Sequence, residues 1–506
     1  MKKTYLLEET LSMNFLIIAG IVTGLILVVF VIDKRQTKEP VRRKFPVLIW
    51  GRKTLVALGP LLRQYLFMSD LEETPYNRIV RNWIYKTANG QRNTIGFGSQ
   101  YDLSITGSVV FLPATFTNKA TQLGEEFGST YRRIIGGRDD VMPIAMPHIV
   151  YISGMSYGAL SERAVKSLNL GAKKAGIFHN TGEGGVANAH LQGAGLIFQI
   201  GTAKYGIRDE NGKLDNALLK EVAKKEQIKM FEVKLAQGAK PGKGGMLLKE
   251  KITEEIAAIR KVPMGKDALS PPRHAEFDDV DGLFDFIEHV RKTTGKPAGI
   301  KMVIGNPAEI ESIAKKLSEN PDRGPDFITI DGGEGGSGAA PLVLASHAGL
   351  PLRQALAITN TTLQRYGVRE YVTLFASGKI ATPADVAIAL ALGADAVGIA
   401  RGFLLSLGCI QSLDCHTGKC PTGITTPSKS AQKAIDVEAA SNRVATYAKA
   451  LIAETHMIAA SCGYKDPTEL SPNDVMVQVE PGRFDFLGNI SAIKDYQKKR
   501  DEQAAS

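Results

Sequence analysis

Three of the chain's four cysteines, Cys409, Cys415 and Cys420, fall in one stretch, GCIQSLDCHTGKCPTGI. A structural zinc site wants four ligands in closely spaced pairs, so Cys-x5-Cys-x4-Cys fits zinc poorly. A disulfide leaves one of the three over and is disfavoured in a reducing compartment. Thiolates in a compact loop shaped by glycine and proline suit iron–sulfur ligation, and three suit a three-iron cluster. A chance group of buried thiols is the remaining reading. Cys462 lies too far along the chain to join them and reads as a buried free thiol.

The glycines also point to a site. They number 51 of 506 and gather in short clusters rather than at a fixed period, which excludes fibres and suits ligand-binding loops. Short apolar runs lead into many of these clusters: HIVYISG (148–154), GIFHNTGEGG (176–185), MFEVKLAQGAK (230–240), PAGIKMVIG (297–305), DFITIDGGEGG (326–336), YVTLFASGK (371–379) and DAVGIARG (395–402). Amphipathic helical segments lie between them, such as Ser161–Lys174, Thr253–Arg260, Val280–Lys292 and Pro383–Leu392. Strand–helix alternation implies a parallel sheet. Seven clear strands and a weak one near Asp267–Ser270 make eight. The expected fold class is therefore α/β, a (β/α)8 TIM barrel, with an open doubly wound sheet as the alternative. Within the runs, Lys301 alternates with Ile300 and Met302, Lys234 with Val233 and Leu235, and Asp331 with Ile330. Charge thus faces inward toward the carboxyl ends of the strands, where a barrel carries its active site.

The formal charge of +10 has a local origin. Eight basic residues lie between Lys34 and Lys53, opposed by Glu39 alone. The rest of the chain is nearly neutral and offers no basic stripe, so nucleic-acid binding is excluded. Just upstream, Phe15–Ile32 is uncharged and long enough to cross a bilayer. A secretory signal is the rival reading, but no small-x-small cleavage site follows before Asp33. Basic residues are denser after the span, so a single-pass cell-membrane anchor with the catalytic body in the cytoplasm is expected. The juxtamembrane arginines suit anionic headgroups. The expected layout is an anchor at 1–33, a basic juxtamembrane and helical lead-in region at 34–146, the barrel at 147–430 and a helical extension at 431–506.

GMSYGALS (154–161), TGEGG (181–185), KLAQGAKPGKGG (234–245), SPPRH (270–274), IDGGEGGSGAAP (330–341), ALGAD (391–395) and the cysteine spacing occur in one order. In these motifs most of 150–430 resembles the FMN-binding synthase domain of glutamate synthase. The resemblance implies a [3Fe-4S] cluster on Cys409, Cys415 and Cys420. It implies FMN phosphate against Ser377, Gly378 and Lys379, then Gly398, Ala400 and Arg401. Lys301 would face the flavin N1/O2 edge, and Met155, Ser156 and Gly158 would approach the ring. Lys234, Gln237, Lys240 and Arg260 match positions around the oxoacid, and Glu183 matches a glutamate close to the flavin; Glu183 and Lys240 are the expected catalytic pair.

The implied reaction is reductive amination of 2-oxoglutarate with ammonia, through 2-iminoglutarate, to L-glutamate, with electrons from a ferredoxin-like donor. Larger family members also carry an N-terminal glutaminase domain with a cysteine nucleophile. No cysteine precedes Cys409, so a separate glutaminase subunit is expected to supply ammonia. Against the family pattern, Met246 stands in place of a polar glutamine and VANAH follows TGEGG. Two alternatives stay open: a synthase for another oxoacid or amine, of the N-methylglutamate type, and a non-catalytic flavin and iron–sulfur electron-transfer subunit.

Overall fold

Eight parallel strands close into a barrel: β1 Val150–Ile152, β2 His179–Asn180, β3 Leu196–Ile200, β4 Ile228–Lys234, β5 Ala298–Met302, β6 Phe327–Asp331, β7 Thr373–Ser377 and β8 Ala396–Ile399. The structure, a computed structural model, describes residues 2–117, 133–138 and 141–489, with side chains from Met13 onward. Parts of the expected lead-in region and C-terminal extension, 118–132, 139–140 and 490–506, lie outside the described residues.

The expected TIM barrel is present, but its eighth strand is not the segment near Asp267–Ser270. Ala268–Leu269 pairs antiparallel with Met246–Leu247 in a small hairpin outside the barrel. The missing strand is β3, LIFQI, buried at every position between β2 and β4. It is apolar on both sides except for Gln199, as a strand inside a parallel barrel must be.

The sequence shows why the elements form where they do. Ser161 caps the helix Glu162–Ala175, its side chain accepting from the Ala164 N–H, and Gly176 ends that helix in the left-handed region at φ 72°. The helix Val280–Thr294 buries Leu283, Phe284, Phe286, Ile287 and Val290 on one face. In the helix Val437–Ser461, Val444 lies so close to Gly171 that a Cβ there would meet its Cγ1 at 2.5 Å. Beyond that helix, Val475–Glu480 and Arg483–Phe486 form strands that join Val109–Phe111 in a three-stranded antiparallel sheet. The segment after residue 431 is thus partly β.

The chain divides into two compact units, Met1–Ile79 and Val80–Ser506. The first holds α1 (Lys2–Arg35), α2 (Pro40–Lys44) and α3 (Leu48–Leu62), the last continued by a π-helical turn, Arg63–Phe67. Met13–Arg35 is long and apolar enough to cross a membrane, with a mean hydropathy of 3.1 over its most apolar window.

Candidate active site

Strand register sets the chemistry at the barrel's carboxyl end. Lys301 of β5 lies level with Lys234 of β4 and Thr329 of β6, and Asp331 lies level with Ser377, which in turn lies level with Gly398. One rim therefore carries Lys234, Lys301, Asp331, Ser377 and Gly398, all predicted site residues except Asp331. The Lys301 Nζ stands 3.5 Å from Asp331 Oδ1, and the other Asp331 oxygen accepts from the Gly238 N–H at 2.8 Å. That bond holds down the QGAKPGKGG loop. It needs glycine at 238, because a Cβ there would fall 1.9 Å from the Gly332 carbonyl oxygen.

The loop brings its cations to one carboxylate. Lys234 Nζ lies 3.2 Å from Glu183 Oε2 and donates to Gln237 Oε1 at 3.1 Å. Burial would raise the Glu183 pKa, but Lys234, Lys240 and Arg260 outweigh it and hold the carboxyl below its ordinary value. Lys240 is buried; desolvation pushes its pKa down to about 8, with Glu183 opposing and Lys234 and Lys243 adding to the fall. Arg260 ends the helix Glu254–Arg260 inside the protein rather than on its surface, at 5% exposure. It donates to the Tyr157 carbonyl at 2.7 Å and stacks over the Tyr205 ring at 4.8 Å, while its Nε has no partner. The structure thus gathers the predicted substrate residues Lys234, Gln237, Lys240 and Arg260 around Glu183, which is predicted as catalytic with Lys240.

The predicted flavin residues fall on three loops. Met155, Ser156 and Gly158 follow β1 in a tight turn, where the Ser156 carbonyl accepts from Ala159 and Leu160, each at 3.0 Å. Gly158 has φ +96°, and a Cβ there would lie 3.3 Å from an Arg260 Nη2. Ser377 ends β7, its hydroxyl 3.1 Å from that of Ser153, and Gly378 and Lys379 follow with positive φ. Gly398 ends against the Tyr151 ring, Ala400 precedes the short helix Arg401–Ser406, and Arg401 donates to the Glu334 carbonyl at 2.9 Å. The Gly378–Lys379 turn after β7, beside Gly398 near the end of β8 and Arg401 just beyond it, fits an anionic phosphate.

The cysteine loop fits a cluster by its donor set. Cys409, Cys415 and Cys420 influence one another's ionisation; burial pushes Cys409 up to about 11 and also raises Cys415. Among the described residues, no three His, Cys, Asp or Glu side chains are gathered tightly enough for a single metal ion. A multi-iron cluster spreads its thiolates over several irons and asks for a wider arrangement. The loop is anchored by Tyr85, whose hydroxyl donates to the Cys409 carbonyl at 2.7 Å, and by Lys251, whose Nζ donates to the Cys415 carbonyl at 2.8 Å. Lys251 is 6% exposed. Among the described residues it has no carboxylate in ion-pair reach, so negative thiolates nearby would compensate its charge.

Several residues escaped sequence reasoning. Glu232, fully buried, accepts from Asn180 at 2.8 Å, Gln199 at 2.7 Å and Thr329 at 2.7 Å, a polar floor beneath the rim. Its alternation opposite Phe231 and Val233 was the available signal. His274 of the SPPRH motif lies 3.0 Å through Nε2 from the Lys234 carbonyl, and burial pushes its pKa down to about 4. Lys251, inside KEK, carries no local signal at all.

Comparison with known proteins follows the same residues. The pattern described as a conserved region in glutamate synthase matches residues 117–465. The glutamate synthase large subunit-like protein YerD of Bacillus subtilis (strain 168) is 37% identical over 496 residues, covering 91% of this chain and 94% of that protein. The archaeal glutamate synthase [NADPH] of Methanocaldococcus jannaschii is 36% identical over 327 residues, 64% of this chain. The match spans only 61% of that protein's length. Among solved structures, an oxidized active mutant of (S)-mandelate dehydrogenase aligns over 78% of this chain and 98% of that one, at 14% identity and a TM-score of 0.45. With a matched conserved region that runs through the barrel and past the cysteine loop, the chain belongs to the glutamate synthase family of enzymes.

Proposed function

We propose that the protein is a membrane-tethered oxidoreductase that makes L-glutamate from 2-oxoglutarate and ammonia. The observation that carries this reading is the cation excess at the barrel mouth. Among the described residues, Lys234, Lys240 and Arg260 converge on the single carboxylate of Glu183, a balance that suits a dicarboxylate entering between them. Ammonia adds to the keto carbon and water leaves, giving 2-iminoglutarate; two electrons and two protons then reduce the carbon–nitrogen double bond.

When bound, FMN supplies that two-electron reduction, and a [3Fe-4S] cluster supplies single electrons from a ferredoxin-class donor. Ser377, Gly378, Lys379, Gly398, Ala400 and Arg401 would hold the FMN phosphate, and Lys301 would stabilise negative charge on the reduced ring. Cys409, Cys415 and Cys420 would hold the cluster. Arg260 and Lys234 would grip the carboxylates, while Lys240 polarises the keto oxygen and lends a proton to the departing water. Glu183, kept ionised by its three cationic neighbours, orients Lys234 and Lys240 until substrate displaces part of that pairing. Ammonia would come from a separate glutaminase subunit. The apolar helix α1 would span the cell membrane, with the body on the cytoplasmic side.

Met246, 40% exposed beside the QGAKPGKGG loop, favours a second reading in which another oxoacid or amine is the substrate. The deciding experiment is anaerobic purification with a visible spectrum and metal analysis, then reoxidation of the reduced protein. Flavin, iron and reoxidation by 2-oxoglutarate with ammonium are expected. Faster reoxidation with methylamine would move the assignment to the second reading. A coloured protein that no oxoacid–amine pair reoxidises would leave only electron relay, and a colourless, iron-free one would refute both cofactors.

A further inference from the structure

Long helices of the barrel unit such as Glu162–Ala175 and Val280–Thr294 bury an apolar face, but α3 does not. Of its fifteen residues only Ile49 is buried. Leu55, Leu58, Leu62 and, in the turn that follows, Leu66 recur at helical spacing and are exposed, Leu55 by 67% and Leu66 by 68%. Arg52 and Arg63 flank the stripe, three residues from Leu55 and Leu66, and Lys53 and Gln64 lie opposite it, with exposed Val56 between. An exposed apolar stripe of this length with basic flanks is unusual on a water-facing helix.

The same unit carries another exposed apolar surface, that of α1. Helix α1 ends at an elbow built on Asp33, which is fully buried. Its carboxylate accepts from Arg42 Nε at 2.5 Å, from the Val47 N–H at 3.0 Å and from Trp50 Nε1 at 3.1 Å. Arg42 and Lys53 both lie over the Trp50 ring, each at 5.1 Å, and Lys53 pairs with Glu39 at 2.8 Å. The elbow therefore ties the start of α3 to the end of the apolar run in α1.

We propose that residues 48–67 form a second membrane-contacting element, a helix lying along the bilayer surface. Leu55, Leu58, Leu62 and Leu66 face the acyl chains, and Arg43, Lys44, Arg52 and Arg63 lie among anionic headgroups. The proposal rests on the reading of α1 as a membrane span. A second span is excluded by length. Only nine uncharged residues separate Lys53 from Arg63. At about 1.5 Å per residue they cover roughly half of a hydrocarbon core ~30 Å thick. Two linked contacts would also restrict how the tethered chain tilts at the membrane.

The test uses the full chain in vesicles of phosphatidylglycerol and phosphatidylcholine. Ile26→Trp reports on α1 and Leu58→Trp on α3, each read as the fluorescence increment over the parent protein. The Ile26→Trp signal is expected to be quenched by lipids brominated deep in the acyl chain, and the Leu58→Trp signal by lipids brominated near the headgroup. Iodide quenching of Leu58→Trp should fall about threefold or more on reconstitution, as burial just below the headgroups requires. A deep Ile26→Trp with a Leu58→Trp still open to iodide would overturn the proposal and leave the span intact. Shielding of Leu58→Trp from iodide and from both brominated lipids would also overturn it, since protein, such as a second copy of the chain, would then cover α3. Failure of Ile26→Trp to meet either lipid would remove the span and the proposal together.

Discussion

Lys240 shows how one buried group acts in opposite directions on stability and on binding. Desolvation lowers its pKa from 10.5 to about 8, so the native state holds this proton less tightly than the unfolded chain. The stability cost of burying the charge is therefore complete below about pH 8 and fades as pH rises toward 10.5. The proposed oxoacid binding would need the charge and should weaken over the same rise. The KM for 2-oxoglutarate is expected to climb above about pH 8, and Lys240→Arg should move that climb upward by holding a charge that does not titrate there. A KM that stays flat through the window would remove Lys240 from the binding group. Lys251 gives a second residue-scale prediction. Lys251→Met should leave the fold intact, since it removes a buried cation that pairs with no carboxylate among the described residues, but should lower iron content on reconstitution. It should also shift the proposed cluster's oxidised-to-reduced ratio about tenfold, or ~59 mV for one electron, toward the oxidised form. Redox titration in the visible range reads this, and an unchanged midpoint would leave Lys251 a packing residue only.

At the scale of elements, strand β3 separates two arrangements of the barrel. All five of its residues are buried, and Gln199 within it donates to Glu232 beneath the rim. Ile197→Ala should cost about 2–5 kcal/mol by opening a cavity in the barrel wall. Leu269→Ala, in the hairpin outside the barrel and 66% exposed, should change stability by no more than about 0.5 kcal/mol. Denaturant midpoints of the two variants test this directly. Equal losses would mean that the hairpin, too, belongs to the core. The segment near Asp267–Ser270 misled because two apolar residues between charged or turn residues resemble a clipped strand. LIFQI was passed over because no chemistry-bearing loop of the recognised kind follows it.

At the scale of the molecule, a compact catalytic unit follows a small apolar and basic one. If α1 tethers the enzyme, a charge at the bilayer centre should release it. Leu25→Arg with Val28→Arg costs roughly 2.5–3.5 kcal/mol per residue for insertion and is expected to move the protein from the membrane pellet to the soluble fraction. Retention of the double variant in alkaline-washed membranes would show that another element holds the chain there. The buried pair Arg291 and Asp326, 3.2 Å apart near the amino ends of β5 and β6, belongs to the opposite end of the barrel from the site and reads as stability rather than chemistry.

Local order along the chain determined much of this. Strand–helix alternation, the inward lysines of β4 and β5, the glycine loops and the x5/x4 cysteine spacing are all short-range patterns. They are visible because side-chain direction follows directly from backbone period. Tertiary structure decided what depends on residues distant in the chain. Strand register put Asp331 beside Lys301 and under Gly238; packing buried Arg260 against Tyr157 and Tyr205 and set Lys251 against the cysteine loop. KEK and the end of a helix read as solvated charge in sequence, because burial is set by the sum of neighbours brought in from elsewhere, and the residues themselves do not encode it.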